Sequence, residues 1–281
     1  MKYFLGCIGL LLFTYCLISM KIPEDQPTLH LIMVADTQSV KIKEGVSRDI
    51  VHVRKRFNTI ARLLNYDLKE QLFDQNYELR SNYIGDKLRK LKTNKKDILV
   101  FYYSGHGFVL KEETSLALPT KETILFKTIK KTLNKKNANF KLFVLDCCRS
   151  VVRLTTGDGP SDNIDEDLLR TNYQQLFSTK EKCSIVGLSC RPPEESYTTD
   201  GGSLFTSSFL SVLNREVEKE EIISGDATWC TILKDTAKKT NFKAGRKGGT
   251  QNPLCEHNGH HDEVKESNRK EREKRQFITQ S

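Results

Sequence analysis

The 281-residue chain predicts an α/β domain built on a mostly parallel six-stranded sheet with helices on both faces. Three observations carry that expectation. Apolar runs of strand length alternate with segments whose apolar residues recur at helical spacing. The runs stay apolar through their middles, as strands covered on both faces do. Polar or glycine-bearing turns separate them, so strands follow one another through helical crossovers rather than hairpins. Hydrophobic residues at 37% and charged residues at 29% fit one sizeable globular domain, and neither a disordered chain nor a multi-span membrane protein.

The first twenty residues stand apart. Lys2 precedes and Lys21 follows an apolar run, Tyr3 to Met20, which is the layout of a secretory signal. The run reaches the lower edge of spanning length and has no clear small-x-small cleavage site, so residues 1–20 read as a signal peptide or a retained signal anchor. The expected location is secreted or extracytoplasmic, with a membrane tether as the alternative. Cys16 follows Phe-Thr-Tyr, without the small residue of a lipoprotein signal.

A polar connector with Pro23 and Pro27 leads to the domain, expected over residues 28–255. "LHLIMVAD" is the first strand. "SRDIVHVRKRFNTIARLL" is the first helix, with Ile50, Val53, Phe57, Ile60, Leu63 and Leu64 on one side, Ser47 as N-cap and Asp49 in the first turn. "YDLKEQLFD", "LRSNYIGDKLRKL" and "DILVFYYSG" continue as strand, helix and strand. "GFVLKEETSLALP" predicts a small hairpin, "KETILFKTIKKTL" a helix and "KLFVLD" a fourth sheet strand. Periodicity fails over an internal linker at about 151–172, rich in Gly, Asp and Ser. "CSIVGLSC" is a fifth strand, "GGSLFTSSFLSVLNREV" a helix opened by Gly201 and Gly202, "ATWCTILKDTAKKT" another, and "TQNPLCEH" a short last strand. Residues 256–281 read as a polar, charged tail.

The net charge of +9 is scattered, with no basic stripe interleaved with aromatics, so no nucleic-acid partner is expected. Six of the eight cysteines lie beyond the N-terminal segment, too irregularly spaced for a disulfide-built scaffold. Cys255, His257, His260 and His261 match no standard zinc spacing and belong with the polar tail; no metal site is expected.

Chemistry concentrates at two strand ends. "FYYSGHGF" sets His106 between Gly105 and Gly107 just past one strand, and "FVLDCCRS" sets Cys147 and Cys148 just past another. Parallel strands carry functional loops at their C-termini, and a Cys-His pair there is the minimal apparatus for acyl transfer. The glycines let the loop turn sharply, leave room for a substrate backbone, and bring Gly107 N–H to a carbonyl oxygen. Taken singly, each residue has a plainer reading: the histidine as a hydrogen-bonded loop residue, the cysteines as core filler.

Taken together, "YYSGHG" followed by "FVLDCCRS" resembles the catalytic pair of the caspase-like cysteine peptidases, closer to metacaspases and paracaspases than to caspases proper. His106 and Cys148 are 42 residues apart, and the resemblance runs from about Leu31 to Leu254. It implies a caspase-like fold, a Cys-His dyad of Cys148 and His106, and an oxyanion hole from the backbone N–H groups of Gly107 and Cys148. Strand alternation agrees, since residues two apart share a face: Asp146 goes with Cys148 and Cys147 lies opposite. The resemblance also implies cleavage after Arg or Lys, because Asp146 stands where caspases carry a glutamine. A buried carboxylate suits a guanidinium and repels another carboxylate.

Asp49 matches a second acid of that pocket, although at a helix N-terminus it would equally serve the helix dipole. Ser104 matches a pocket serine, and Glu194 in "GLSCRPPEESY" is a third acidic candidate, with Glu195 equally available. Acids between His106 and Asp146 are isolated, so calcium dependence is not supported and no cofactor is expected. The linker offers Arg153 and Arg170 as self-processing sites, or is simply an uncut loop. The expected partners are protein or peptide substrates. A catalytically silent caspase-like interaction module is the alternative.

Overall fold

The computed structural model describes residues 26–110, 113–151, 165–179, 182–191, 194–199, 201–246, 248–257 and 260–261. The N-terminal apolar run, Arg153 and most of the charged tail lie outside them. Among the described residues no helix is long and apolar enough to cross a membrane.

The strands are β1 (Thr28–Ala35), β2 (Asp67–Phe73), β3 (Ile98–Gly105), β4 (Gly107–Leu110), β5 (Glu113–Ala117), β6 (Thr123–Leu125), β7 (Phe140–Val151), β8 (Cys183–Leu188), β9 (Ser196–Thr199), β10 (Gly202–Ser203), β11 (Leu254–His257) and β12 (His260–His261). The helices are α1 (Lys43–Leu64), α2 (Ser81–Lys90), α3 (Phe126–Asn134), α4 (Glu166–Phe177), α5 (Leu204–Val217) and α6 (Gly225–Gly245). The main sheet runs β12-β11-β8-β7-β3-β1-β2. Its five strands from β8 to β2 are parallel, and β11 closes one side antiparallel. Six of these strands are the predicted ones, in a mostly parallel caspase-like sheet; β12 pairs with β11.

Alternation along the strands divides the core in two. Leu29, Leu31 and Met33 of β1, Val100 and Tyr102 of β3, and Leu142 and Val144 of β7 pack with α1, α4, α5 and α6. Ile32, Val34, Phe101, Tyr103, Phe143 and Leu145 point the other way, against α2 and α3. The continuous apolar runs follow from this, because every residue of β1 and β3 is buried.

Five boundaries depart from expectation. Helix α1 starts at Lys43, with Ile42 rather than Ser47 at its N-cap, because Ile42 and Val46 extend the buried stripe a turn upstream. Asp49 therefore lies inside the helix, on the stripe of Val46, Ile50 and Val53. The segment expected as one helix from Lys121 begins as β6, where Ile124 pairs with Leu116, and turns helical only at Phe126. Gly201 and Gly202 do not open α5: Gly202 belongs to β10, and Ser203 is the N-cap, its hydroxyl accepting from Thr206 N–H. The linker ends at α4, so Arg170 is helical, with its guanidinium on Leu63 O at 3.1 Å and Asp167 Oδ1 at 2.8 Å. The sheet, moreover, runs past residue 255 into the stretch expected as tail.

Gly202 has φ of +111°, a conformation that L side chains rarely adopt, and a β-carbon there would lie 2.5 Å from Asp49 Oδ1. Gly202→Ala is therefore expected to cost about 2 kcal/mol or more, read as a lowered midpoint in urea with an unchanged slope.

Candidate active site

The register between β3 and β7 assembles the site. Ser104 pairs with Asp146 and Gly105 with Cys147, so the chain leaves β3 at His106 at the level where β7 reaches Cys148. On the other side of β7 the backbone of Cys148 pairs with Ser196 of β9. Two segments distant in sequence are thus joined at the C-terminal edge of the sheet.

The turn around His106 is clamped from below. Tyr103 OH donates to His106 O at 2.5 Å and Ala117 O at 2.7 Å, and Ala117 N–H donates to His106 O at 2.9 Å. Both flanking glycines are explained by close approach rather than by backbone angle. A β-carbon on Gly105 would lie 2.7 Å from Tyr103 OH, and one on Gly107 would lie 2.7 Å from Cys147 Sγ. Neither glycine has positive φ, so the expectation that glycine is needed here for a sharp turn gives way to a packing reason.

Asp146 and Cys147 face opposite ways, as alternation predicts. Cys147 packs on the α2/α3 side with Leu188. Asp146 is 0% exposed and points toward α1 and α5. Its Oδ1 accepts from Ser196 Oγ at 3.1 Å; its Oδ2 accepts from Thr206 N–H at 3.1 Å, Thr206 Oγ1 at 2.7 Å and Ser203 Oγ. Tyr102 OH lies 2.9 Å from Thr206 Oγ1, so hydroxyls run in sequence to the carboxylate. Gln251 Nε2 ties the far side, donating to Ser196 Oγ and Ser189 O at 2.9 Å each.

Asp49 meets this cluster from α1 and is only 1% exposed. It accepts from Ser203 N–H at 2.9 Å and Ser104 Oγ at 3.4 Å. Burial, and then the carboxylate of Asp146, push its carboxyl well above the usual range, and the hydrogen bonds from Ser203 and Ser104 do not offset them. Burial, and then the same two acids, hold the Tyr102 phenol neutral to well above its ordinary value.

That shift has a stability consequence. Between the ordinary carboxylate value and the raised native one, the folded chain holds a proton that the unfolded chain has released, so stability falls as pH rises through this window. Asp49→Asn removes that component. The variant is expected to melt higher than the parent above the window and to show a flatter dependence of melting temperature on pH.

The structure thus brings Asp49, Ser104 and Asp146 together, at the strand ends that carry His106 and Cys148. It does not bring Glu194. That carboxylate accepts from Asn252 N–H at 2.7 Å and Asn252 Nδ2 at 2.6 Å, and it lines a cleft on the Cys147 side of β7 instead. Sequence reasoning missed the polar lining, Ser196, Ser203, Thr206 and Gln251. The one available signal was Ser203 with Thr206 three residues on, the spacing of an N-cap and the N–H it receives.

No curated protein matches the chain. The family model of the C14 peptidase caspase domain matches residues 44–264. That span starts inside α1 and takes in both strand ends and every side chain of the acidic cluster. The match excludes β1, although β1 pairs between β2 and β3 in the sheet. By this match and this sheet, the chain belongs to the caspase-domain family of C14 peptidases.

Proposed function

We propose that the domain is a cysteine endopeptidase that cuts peptide bonds after arginine or lysine, with Cys148 as nucleophile and His106 handling its proton. The observation that carries this reading is the β3–β7 register, which sets the His106 turn beside the strand end holding Cys148, two residues past the Ser104–Asp146 pair. The thiolate of Cys148 attacks the substrate carbonyl. The N–H groups of Gly107 and Cys148 receive the oxyanion, the amine leaves with a proton from His106, and water then hydrolyses the thioester.

Specificity rests on Asp49 and Asp146. Burial first, and then the neighbouring Asp146 carboxylate, raise the Asp49 carboxyl, so negative charge is disfavoured in this pair. A guanidinium or ammonium entering beside them is favoured, while an aspartate side chain meets the Asp146 carboxylate with like charge. Entry requires the Gly202–Ser203 segment to give way, since Ser203 now bonds both acids. The N-terminal run is proposed to export or tether the domain.

The test is a set of fluorogenic peptides ending in Arg, Lys or Asp, offered to the full chain under reducing conditions. Cleavage after Arg or Lys at least about 100-fold faster than after Asp is expected, the equivalent of one like-charge contact. A preference for Asp overturns the pocket assignment, and no cleavage of any peptide overturns the enzyme.

A further inference from the structure

On the face of β7 opposite Asp146, a narrow cleft is lined by residues that include Gly107, Val109, Cys147, Leu188, Cys190 and Glu194. Cys147 and Cys190 are both thiols in this structure, and both are partly exposed. Neither has a part in the proposed reaction. Both lie just past the last rung of one parallel strand pair. β7 and β8 pair in parallel up to Leu145 opposite Leu188, where β8 ends, and the residues two further along each chain both line this cleft. Those residues are Cys147 and Cys190.

The chains remain joined beyond the last pair. Ser189 N–H donates to Leu145 O at 2.9 Å, and Ser189 Oγ accepts from Cys147 N–H at 3.0 Å. Neighbouring strands run about 4.8 Å apart. A disulfide bridges Cα atoms about 4.4–6.8 Å apart, and the Ser189 bonds to Leu145 and Cys147 keep the residue before Cys190 against β7.

We infer that Cys147 and Cys190 form an oxidisable dithiol, which closes to a disulfide across the cleft when a peroxide reaches it. One thiolate attacks the peroxide O–O bond, giving a sulfenic acid and, after protonation, one water. The second thiolate then attacks that sulfur, forming the S–S bond and expelling hydroxide, which leaves as a second water. Two thiols lose one electron each, and the peroxide takes up both with the two thiol protons. Cys147 Sγ packs directly against Gly107, so drawing it toward Cys190 changes the support under the His106 turn as well as filling the cleft. The bond itself follows from the fold; only an effect on cleavage rests on the peptidase reading.

The experiment uses the full chain carrying Cys148→Ser, so that Cys147 is the only thiol in its tryptic peptide. The protein is treated with hydrogen peroxide, alkylated, denatured and digested with trypsin. The expected product is the peptide Leu142–Arg149 joined to Cys183–Arg215 with the loss of two hydrogens, and dithiothreitol separates them. The cross-link persists in Cys183→Ser and vanishes in both Cys190→Ser and Cys190→Ala. Absence of a cross-link, one that survives loss of Cys190, or one that joins Cys147 to a different cysteine overturns the inference. Because the readout is mass rather than peptide cleavage, a chain without peptidase activity gives the same answer.

Discussion

Cys148→Ala is expected to lower kcat/KM on an Arg-ending peptide by at least about 1000-fold, and His106→Ala by a comparable factor, because loss of either partner of the proposed nucleophile-base pair disables the same step. Cys147→Ala, one residue away, is expected to keep most of the rate. The contrast follows from β7 geometry. Cys147 is turned to the α2/α3 side, where its sulfur meets Gly107, while Asp146 is turned to the acidic cluster. Rates measured for the three variants beside the parent, with a thermal melt for each, check the assignment. If Cys147→Ala abolished cleavage while Cys148→Ala did not, the two thiols would exchange roles.

The second large effect concerns stability. Asp146→Ala is expected to lower the free energy of unfolding by about 2–4 kcal/mol. The variant leaves the hydroxyls of Ser203 and Thr206 without their buried acceptor, and it removes the carboxylate from the first turn of α5, where Thr206 N–H donates to it. The loss is moderated because Thr206 N–H retains Ser203 Oγ at 3.3 Å and Asp49 is freed from a neighbouring charge. Urea denaturation of the parent and the variant measures the difference. A loss below about 0.5 kcal/mol would mean that the carboxylate does not brace the helix.

The sheet was legible because its strands are buried on both faces, which leaves an apolar run that nothing else in the chain imitates. The pair of strand ends was legible for a related reason, since parallel order places His106 and Cys148 at one edge. Short elements at the site were not. β9 is Ser-Tyr-Thr-Thr, and its buried members Ser196, Thr198 and Thr199 are polar, so burial left no hydropathy signal. β10 is two residues long and owes its course to the positive φ of Gly202 and to Ser203 N–H on Asp49. Asp49 is instructive in another way. Its position after Ser47 suggests a first-turn residue, whereas it occupies the apolar stripe of α1, and an acid in line with Val46, Ile50 and Val53 is itself a sign of a buried polar partner. Glu194 shows the limit for loop acids: nothing in its own neighbourhood of the chain announces Asn252, 58 residues further on.

Ser203 is the N-cap of α5 and also a hydrogen-bond donor to both acids. Thermodynamic reciprocity then couples the occupant of the acidic pair to the first turn of that helix. A cation that takes the carboxylates away from Ser203 loosens the turn, and any partner or substitution that unwinds the turn raises the affinity for a cation by the same factor. Such coupling would register as faster amide hydrogen exchange at Thr206 when a basic ligand binds, in the first turn of a helix that runs on to Val217.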